Sequence, residues 1–225
     1  MSDSTPVRRL IVAIDGPSGA GKGTIARAVA SRLHYRHIDT GAMYRALAWK
    51  ADRQGADLSD DPTVSKLAEE TELDVGEGRV RVDGHDVAAA IRTPAIDSAA
   101  AAVARLPGVR AALIARQRAI GAGGGVVMEG RDIGTVVFPS AEVKIFLDAS
   151  PEERARRRAS DPAHSAGSSE IREVATALAE RDRSDRTRAA SPLTQAPDAV
   201  VVDTTELSID EAVARVMEVV YSRSL

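Results

Sequence analysis

The segment Gly16-Pro-Ser-Gly-Ala-Gly21-Lys22-Gly23-Thr24 contains the residue types that hold phosphate. Closely spaced glycines let successive backbone N–H groups curl around phosphate oxygens, and the Lys22 ammonium places a full positive charge beside the β and γ groups of a nucleoside triphosphate. The surroundings agree. Leu10 to Ile14 is a short apolar, β-branched run stopped by Asp15-Gly16-Pro17, which reads as a buried strand, and a helical pattern follows. A helix that begins at such a loop adds the partial positive charge of its first turn. Gly16, Pro17, Ser18, Gly19, Ala20, Gly21, Lys22, Gly23 and Thr24 are therefore expected to form an ATP site. The usual pattern has a serine or threonine directly after the lysine, whereas here Gly23 intervenes. The hydroxyl contact to Mg²⁺ next to the lysine is thereby lost. No direct metal ligand is expected: Mg²⁺ would arrive with ATP, with Thr24 and Glu129 as the nearby oxygen groups.

A phosphate loop alone suits a GTPase, a motor or a small-molecule kinase. No Asn-Lys-x-Asp guanine-reading motif occurs. Arginines recur instead in small constellations: Asp39-Thr40-Gly41-Ala-Met-Tyr44-Arg45, Ile91-Arg92-Thr93, Val109-Arg110 and Glu129-Gly130-Arg131-Asp132. Each lies at a predicted strand end or helix start, the edge where open α/β sheets bind ligands, and arginine forks match phosphate oxygens. One such arginine would read as a solvated surface charge; the set points to a second anionic substrate. Arg131 and Asp132 directly follow an apolar run and so should point into the crevice above the phosphate loop. Arg181, Asp185 and Arg188 share one face of a helix predicted over about 169–190. That face suits a salt-paired solvent surface equally well. The basic run Arg154-Ala-Arg156-Arg157-Arg158 poses the same choice, but it leads into Ser160–Ser169, which reads as a mobile loop. A lid that closes over transferring phosphates needs such cations.

These groups need a scaffold. Apolar runs recur at Gly125–Met128, Val143–Leu147 and Ala199–Val202, separated by alanine-rich segments with apolar residues at helical spacing. Continuous apolar strands between helices imply an α/β fold whose parallel sheet is covered on both faces. Leu73 to Val87 breaks the rhythm: polar and apolar residues alternate around Asp83-Gly84, so a small antiparallel insertion with a hairpin turn is expected. Ser150, Pro151 and Glu153 form a capping box at the start of the basic helix. Tyr44 and Trp49 read first as packing groups, and Met43 as core. At 225 residues the chain can bury one core plus a small lobe. A net charge of −3 disfavours non-specific binding to nucleic acid or an anionic membrane. The absence of cysteine excludes disulfides, thiolate zinc sites and cysteine nucleophiles. His34, His37, His85 and His164 lack the spacing of metal ligands. Neither a signal peptide nor a spanning helix is expected at the polar N-terminus, which makes a cytoplasmic location the default.

Taken together, the chain resembles the bacterial cytidylate kinases. The likeness runs from Leu10 to near the C-terminus. It rests on IDGPSGAGKGT (Ile14–Thr24), DTGAMYRALA (Asp39–Ala48), IRTP (Ile91–Pro94), VR…RQR (Val109–Arg118), GRDIGTVVFP (Gly130–Pro139), KIFLDAS (Lys144–Ser150) and ERD…DR…R…PL (Glu180–Leu193). The resemblance implies transfer of the γ-phosphate of Mg·ATP to CMP or dCMP. It implies a doubly wound parallel sheet of the P-loop NTPase class in a single unit, with core at about 7–59 and 106–225. An antiparallel nucleotide-monophosphate-binding insertion is implied at about 60–105, and a helical lid at about 150–170. Arg45, Arg131 and Arg188 would hold the acceptor phosphate, Arg181 and Asp185 serve the ribose, and Arg110 and Asp132 read the cytosine edge. Thr40, Tyr44 and Arg92, from the same constellations, complete the expected acceptor set; Lys22, Arg131, Arg157 and Arg188 form the catalytic one. Ala99 to Ala102 fill the stretch where the family commonly places a serine against the cytosine, and Glu129 stands where an aspartate is common. A kinase for UMP, AMP or shikimate is the nearest alternative, and an ATP-hydrolysing switch protein a more distant one. The self-contained architecture implied here would act as a monomer.

Overall fold

The computed structural model describes residues 9–76, 78–161 and 171–223. The chain runs β1 (Ile11–Asp15), α1 (Lys22–Leu33), β2 (Arg36–Asp39), α2 (Thr40–Arg53) and α3 (Asp61–Glu70), then β3 (Leu73–Gly76), β4 (Arg79–Val82) and β5 (His85–Asp86). It continues through α4 (Pro94–Val103), α5 (Pro107–Gly121), β6 (Val126–Gly130), a π-helical turn (Ile133–Val137) and β7 (Val143–Asp148). It closes with α6 (Pro151–Ala159), α7 (Ile171–Thr187), β8 (Val200–Asp203) and α8 (Ile209–Arg223).

Five strands form the central sheet in the order β2-β6-β1-β7-β8, and every neighbouring pair is parallel. The chain thus winds to one side of β1 and later to the other, which opens a crevice above the carboxyl end of β1. Alternate β1 residues serve both faces. Val12 and Ile14 pack with Val29 of α1 and Val216 of α8, while Ala13 packs with Met128 and Ile133 on the far side. Each large side chain fully buried in this way contributes about 1.5–3 kcal/mol.

The four apolar runs lie where strands were expected, shifted by one or two residues. β2 left no such run because Ile38 is its only apolar residue. It is a buried strand nonetheless, since the His37 imidazole meets the Glu129 carboxylate of neighbouring β6 at 2.9 Å. The same contact lets β6 continue through a buried Glu129 to Gly130, just short of Arg131.

Strands β3, β4 and β5 make a separate three-stranded antiparallel sheet. Asp83 and Gly84 turn between its last two strands with φ of 49° and 81°, the double positive φ of a type I′ turn. Met43 is core, and Trp49 packs against the cluster beneath this sheet. The expected capping box at α6 forms by half. Ser150 Oγ accepts the Glu153 N–H at 3.2 Å, but the Glu153 carboxylate turns to Arg156 and Arg157, and the Ser150 N–H donates to Thr205 Oγ1 instead. Of the loop expected at Ser160–Ser169, only Ser160 and Asp161 belong to the described residues. Helix α7 ends at Thr187, so Arg188 follows the helix rather than riding on it. Among the described residues no single helix is long and apolar enough to cross a membrane.

Candidate active site

The crevice is a cleft of about 740 Å³, a size that suits small-molecule ligands. One wall is the phosphate loop. Ser18, Gly19, Gly21, Lys22, Gly23 and Thr24 line it, while Gly16, Pro17 and Ala20 are buried beneath and shape the turn without reaching the cleft. Helix α1 begins at Lys22, so its unpaired N–H groups face the loop. The Lys22 ammonium is folded back on the Pro17 carbonyl at 2.6 Å. Burial, reinforced by the Arg131 charge, lowers its pKa to about 7, with Glu129 and Asp185 working in the opposite direction. An incoming polyphosphate would restore the charge.

Two of the glycines that line the cleft allow close approach. A Cβ at Gly19, where φ is +80°, would lie 2.9 Å from the Arg154 backbone oxygen. One at Gly23 would lie 3.3 Å from Glu129 Oε1. The glycine after the lysine and the glutamate on β6 are therefore one arrangement: the missing side chain leaves room for a carboxylate that His37 holds from behind.

Arg154 does not belong with the cleft-facing lid cations. It is buried, donates to the Ser18 and Ala149 carbonyls at 3.2 Å and 3.1 Å, and pairs with Asp182 of α7. Asp182 in turn accepts the Ser18 N–H at 3.3 Å. This brace fixes the phosphate loop to α6 and α7. A signal for it was present: Leu178, Asp182 and Asp185 recur at four and three residues, and these are the buried residues of α7.

The opposite wall is built from arginines. Arg45 donates to Asp39 at 2.8 Å, Arg131 Nε donates to Asp185 at 2.8 Å, and Arg110 is bonded to Asp132 and lies over the Tyr44 ring at 5.6 Å. Arg188 stands 3.7 Å from Asp132 and 3.6 Å from Asp185 and donates to the Ser191 carbonyl. The seven charged side chains, Asp39, Arg45, Arg110, Arg131, Asp132, Asp185 and Arg188, come from the β2 end, α2, α5, the β6 end and the α7 region, and Tyr44 lines the cleft with them. Thr40 lines it too, but its hydroxyl already donates to the Glu129 carbonyl at 2.7 Å. Arg92 is an exposed residue of the rim. Arg181 approaches Asp97 of α4 at 3.3 Å. Ala100 and Ala101 of the noted alanine run, with Ala104 just beyond it, provide apolar lining.

Arg157 lies at the phosphate-loop end, donating to the Thr204 hydroxyl at 2.9 Å and to its carbonyl at 2.6 Å. Thr204, Leu207 and Ser208 line the cleft beside it. Sequence reasoning missed these residues, although their place after the carboxyl end of β8 was a signal.

The cations crowd one another. Burial, and next the neighbouring Arg131, depresses the Arg181 pKa; burial and Arg110 do the same to Arg188. Burial works against the Arg131 charge as well, yet Asp185 carries its pKa above the ordinary value. Among the described residues, the buried guanidinium nitrogens Arg45 Nε, Arg110 Nε and Arg188 Nη2 find no hydrogen-bond partner. Each such donor costs about 1–3 kcal/mol unless a ligand satisfies it. An anion fits here.

Comparison with known proteins agrees with this chemistry. The family model described as cytidylate kinase matches residues 12–222. The chain belongs to the cytidylate kinase family. A cytidylate kinase of Solibacter usitatus is 51% identical over 226 residues, covering 97% of this chain and 95% of that protein. Cytidylate kinases of Pelotomaculum thermopropionicum and Geobacillus thermodenitrificans are 51% and 49% identical, with coverage of 92% and 96% of this chain and 93% and 98% of theirs. In fold, this cytidylate kinase family member is similar to a shikimate kinase from Bacteroides thetaiotaomicron, with a TM-score of 0.52 and 16% identity over 94% of this chain and 98% of that one.

Proposed function

We propose that the chain transfers the γ-phosphate of ATP to CMP or dCMP, giving ADP and CDP or dCDP. The observation that carries this reading is that the phosphate loop and the arginine wall face one cleft, so that donor and acceptor phosphates can meet in line. A phosphate monoester is largely dianionic at neutral pH, with a second pKa of about 6, and its oxygen is already a nucleophile. No general base is required. The side chains align the acceptor oxygen with the γ-phosphorus, screen charge and exclude water.

Lys22 and Arg157 act on the donor phosphates and the developing charge. Arg45, Arg131 and Arg188 receive the acceptor phosphate, while Arg181 and Asp185 serve its ribose. The segment 60–105 is the acceptor-binding insertion, and α6 begins the lid. Arg110 and Asp132 select the base. Cytosine presents an exocyclic amine that donates to a carboxylate, whereas uracil presents a carbonyl at that position, which Asp132 would repel.

The donor set also suits Mg²⁺ shared with a nucleotide. Among the described residues no cluster of three or more acidic or histidine side chains is placed to hold an ion alone, whereas Glu129 and Thr24 stand beside the phosphate loop. An ion that arrives with ATP would have those two as its nearby oxygen groups without being ligated by them directly, and it would supply further screening of the phosphate oxygens.

The test is ADP production from Mg·ATP with CMP, dCMP, UMP, AMP or no acceptor. Turnover with CMP and dCMP alone is the expected result. Comparable UMP turnover would overturn the base assignment, and acceptor-independent hydrolysis would overturn the kinase reading itself.

A further inference from the structure

Asp97 has no part in the roles assigned above. It lies in the first turn of α4, nearly buried, and Ala100, Ala101 and Ala104 follow it at three, four and seven residues along the helix face that lines the acceptor end. Its carboxylate meets two cations from other helices: Arg158 of α6 donates to it, and Arg181 of α7 approaches to 3.3 Å. Both arginines line the cleft.

The partners' chain neighbours reach the other wall. On α6, Arg157 precedes Arg158 and is bonded to Thr204 at the donor end. On α7, Asp182 follows Arg181 and accepts the Ser18 N–H of the phosphate loop. Each helix therefore has one residue on Asp97 and the adjacent one on the donor wall. Helix α4 is anchored in turn to α2, where Ala100 and Val103 pack with Met43 and Leu47.

We propose that Asp97 is a positioning residue that couples the two substrate sites. Resting on the function proposed above, the inference is that an acceptor seated against α4 fixes Asp97, which fixes Arg158 and Arg181 and through them the donor-side contacts of α6 and α7. Without this carboxylate, Arg158 and Arg181 would face Arg45 and Arg131 with less opposing charge, since Arg45 already depresses the Arg158 pKa after burial and Arg131 that of Arg181.

The experiment is a titration calorimetry measurement of CMP affinity with and without a non-hydrolysable ATP analogue and Mg²⁺, for the wild type and Asp97→Asn. The ratio of the two affinities is the coupling factor, typically about 5- to 150-fold where sites are linked. The wild type should show such a factor, and Asp97→Asn should bring it to within about twofold of unity while CMP affinity alone changes by less than about threefold. Arg158→Gln breaks the same link from α6 and should give the same collapse, which keeps the test decisive if Asp97→Asn does not fold. Retention of the coupling factor in the variants, a wild-type factor near one, or weaker CMP binding with coupling intact would each overturn the inference. A wild type that phosphorylates neither CMP nor dCMP would remove the functional reading itself; normal CMP turnover with unchanged coupling would remove only the role of Asp97.

Discussion

On the phosphate-loop side of the cleft, the lining comes largely from one stretch, Ser18 to Thr24, joined by Arg157 and Thr204, and the supports lie behind it: the Arg154–Asp182 brace and the His37–Glu129 pair. On the arginine side the lining comes from several elements, and each guanidinium is held by a carboxylate that lies in the cleft with it. The first wall works through backbone N–H groups whose direction is set by the turn. The second works through long side chains that would otherwise lose rotamer freedom on binding; ion pairing orders them beforehand, so little reorganisation remains when phosphate arrives. A loop positions by covalent geometry, an arginine cluster by mutual charge.

This contrast can be broken most severely at Lys22. Lys22→Ala should lower turnover by about 10²- to 10³-fold, the range for removing one charge-stabilising group from a transition state. Calorimetric CMP affinity should stay within about twofold, because the acceptor wall is a separate construction. Unchanged turnover would take Lys22 out of the mechanism.

Next in size is the brace. Arg154→Met leaves the Asp182 carboxylate buried and unpaired, which costs on the order of 3 kcal/mol in urea unfolding. Arg156→Met removes an exposed ion pair only, since that side chain is 64% exposed against 9% for Arg154, and should leave stability unchanged. Equal losses in the two variants would show that the donor wall has no special support.

A pH experiment sharpens the same point from beneath the loop. Asp15 accepts N–H bonds from Ile133 and Gly134 at 2.8 Å and 2.7 Å, but burial outweighs them and lifts its pKa from 3.8 to about 6. The folded value lies above the unfolded one, so the stability from this group is complete below about pH 4 and is lost as the pH rises through about 6. Wild-type stability minus that of Asp15→Asn should therefore fall across this window by an amount on the order of 2 kcal/mol. A difference that does not vary with pH would assign the raised pKa to no structural consequence.

The smallest effect is on selectivity. Asp132→Asn presents an amide that can serve either pyrimidine, so the ratio of kcat/KM for CMP over UMP should fall about tenfold, while the preference for ATP as donor stays as it was. An unaltered ratio would place base selection outside the Arg110–Asp132 pair.

Legibility followed the same division. The phosphate loop, four of the five parallel strands, the Asp83-Gly84 turn and the Ser150 cap are written in contiguous residues, because glycine torsions, apolar runs and cap hydrogen bonds act over a few positions. The positions of Arg131 and Asp132 followed from the strand before them. β2 escaped detection because a strand of Arg-His-Ile-Asp is buried only by virtue of a partner on β6.

What the sequence by itself determined, then, is the phosphate loop and the α/β class of the scaffold. Tertiary structure alone decided which members of a charged run face inward. Arg154 and Asp182 became the buried brace while Arg156 and Arg183 stayed exposed, Thr204 came to the cleft from a distant element, and Asp97 came to pair with Arg158 and Arg181, which line it. The reason is physical: burial of a charge is tolerated only where an opposite charge waits, and that partner lies 28 residues away for Arg154 and 61 for Arg158.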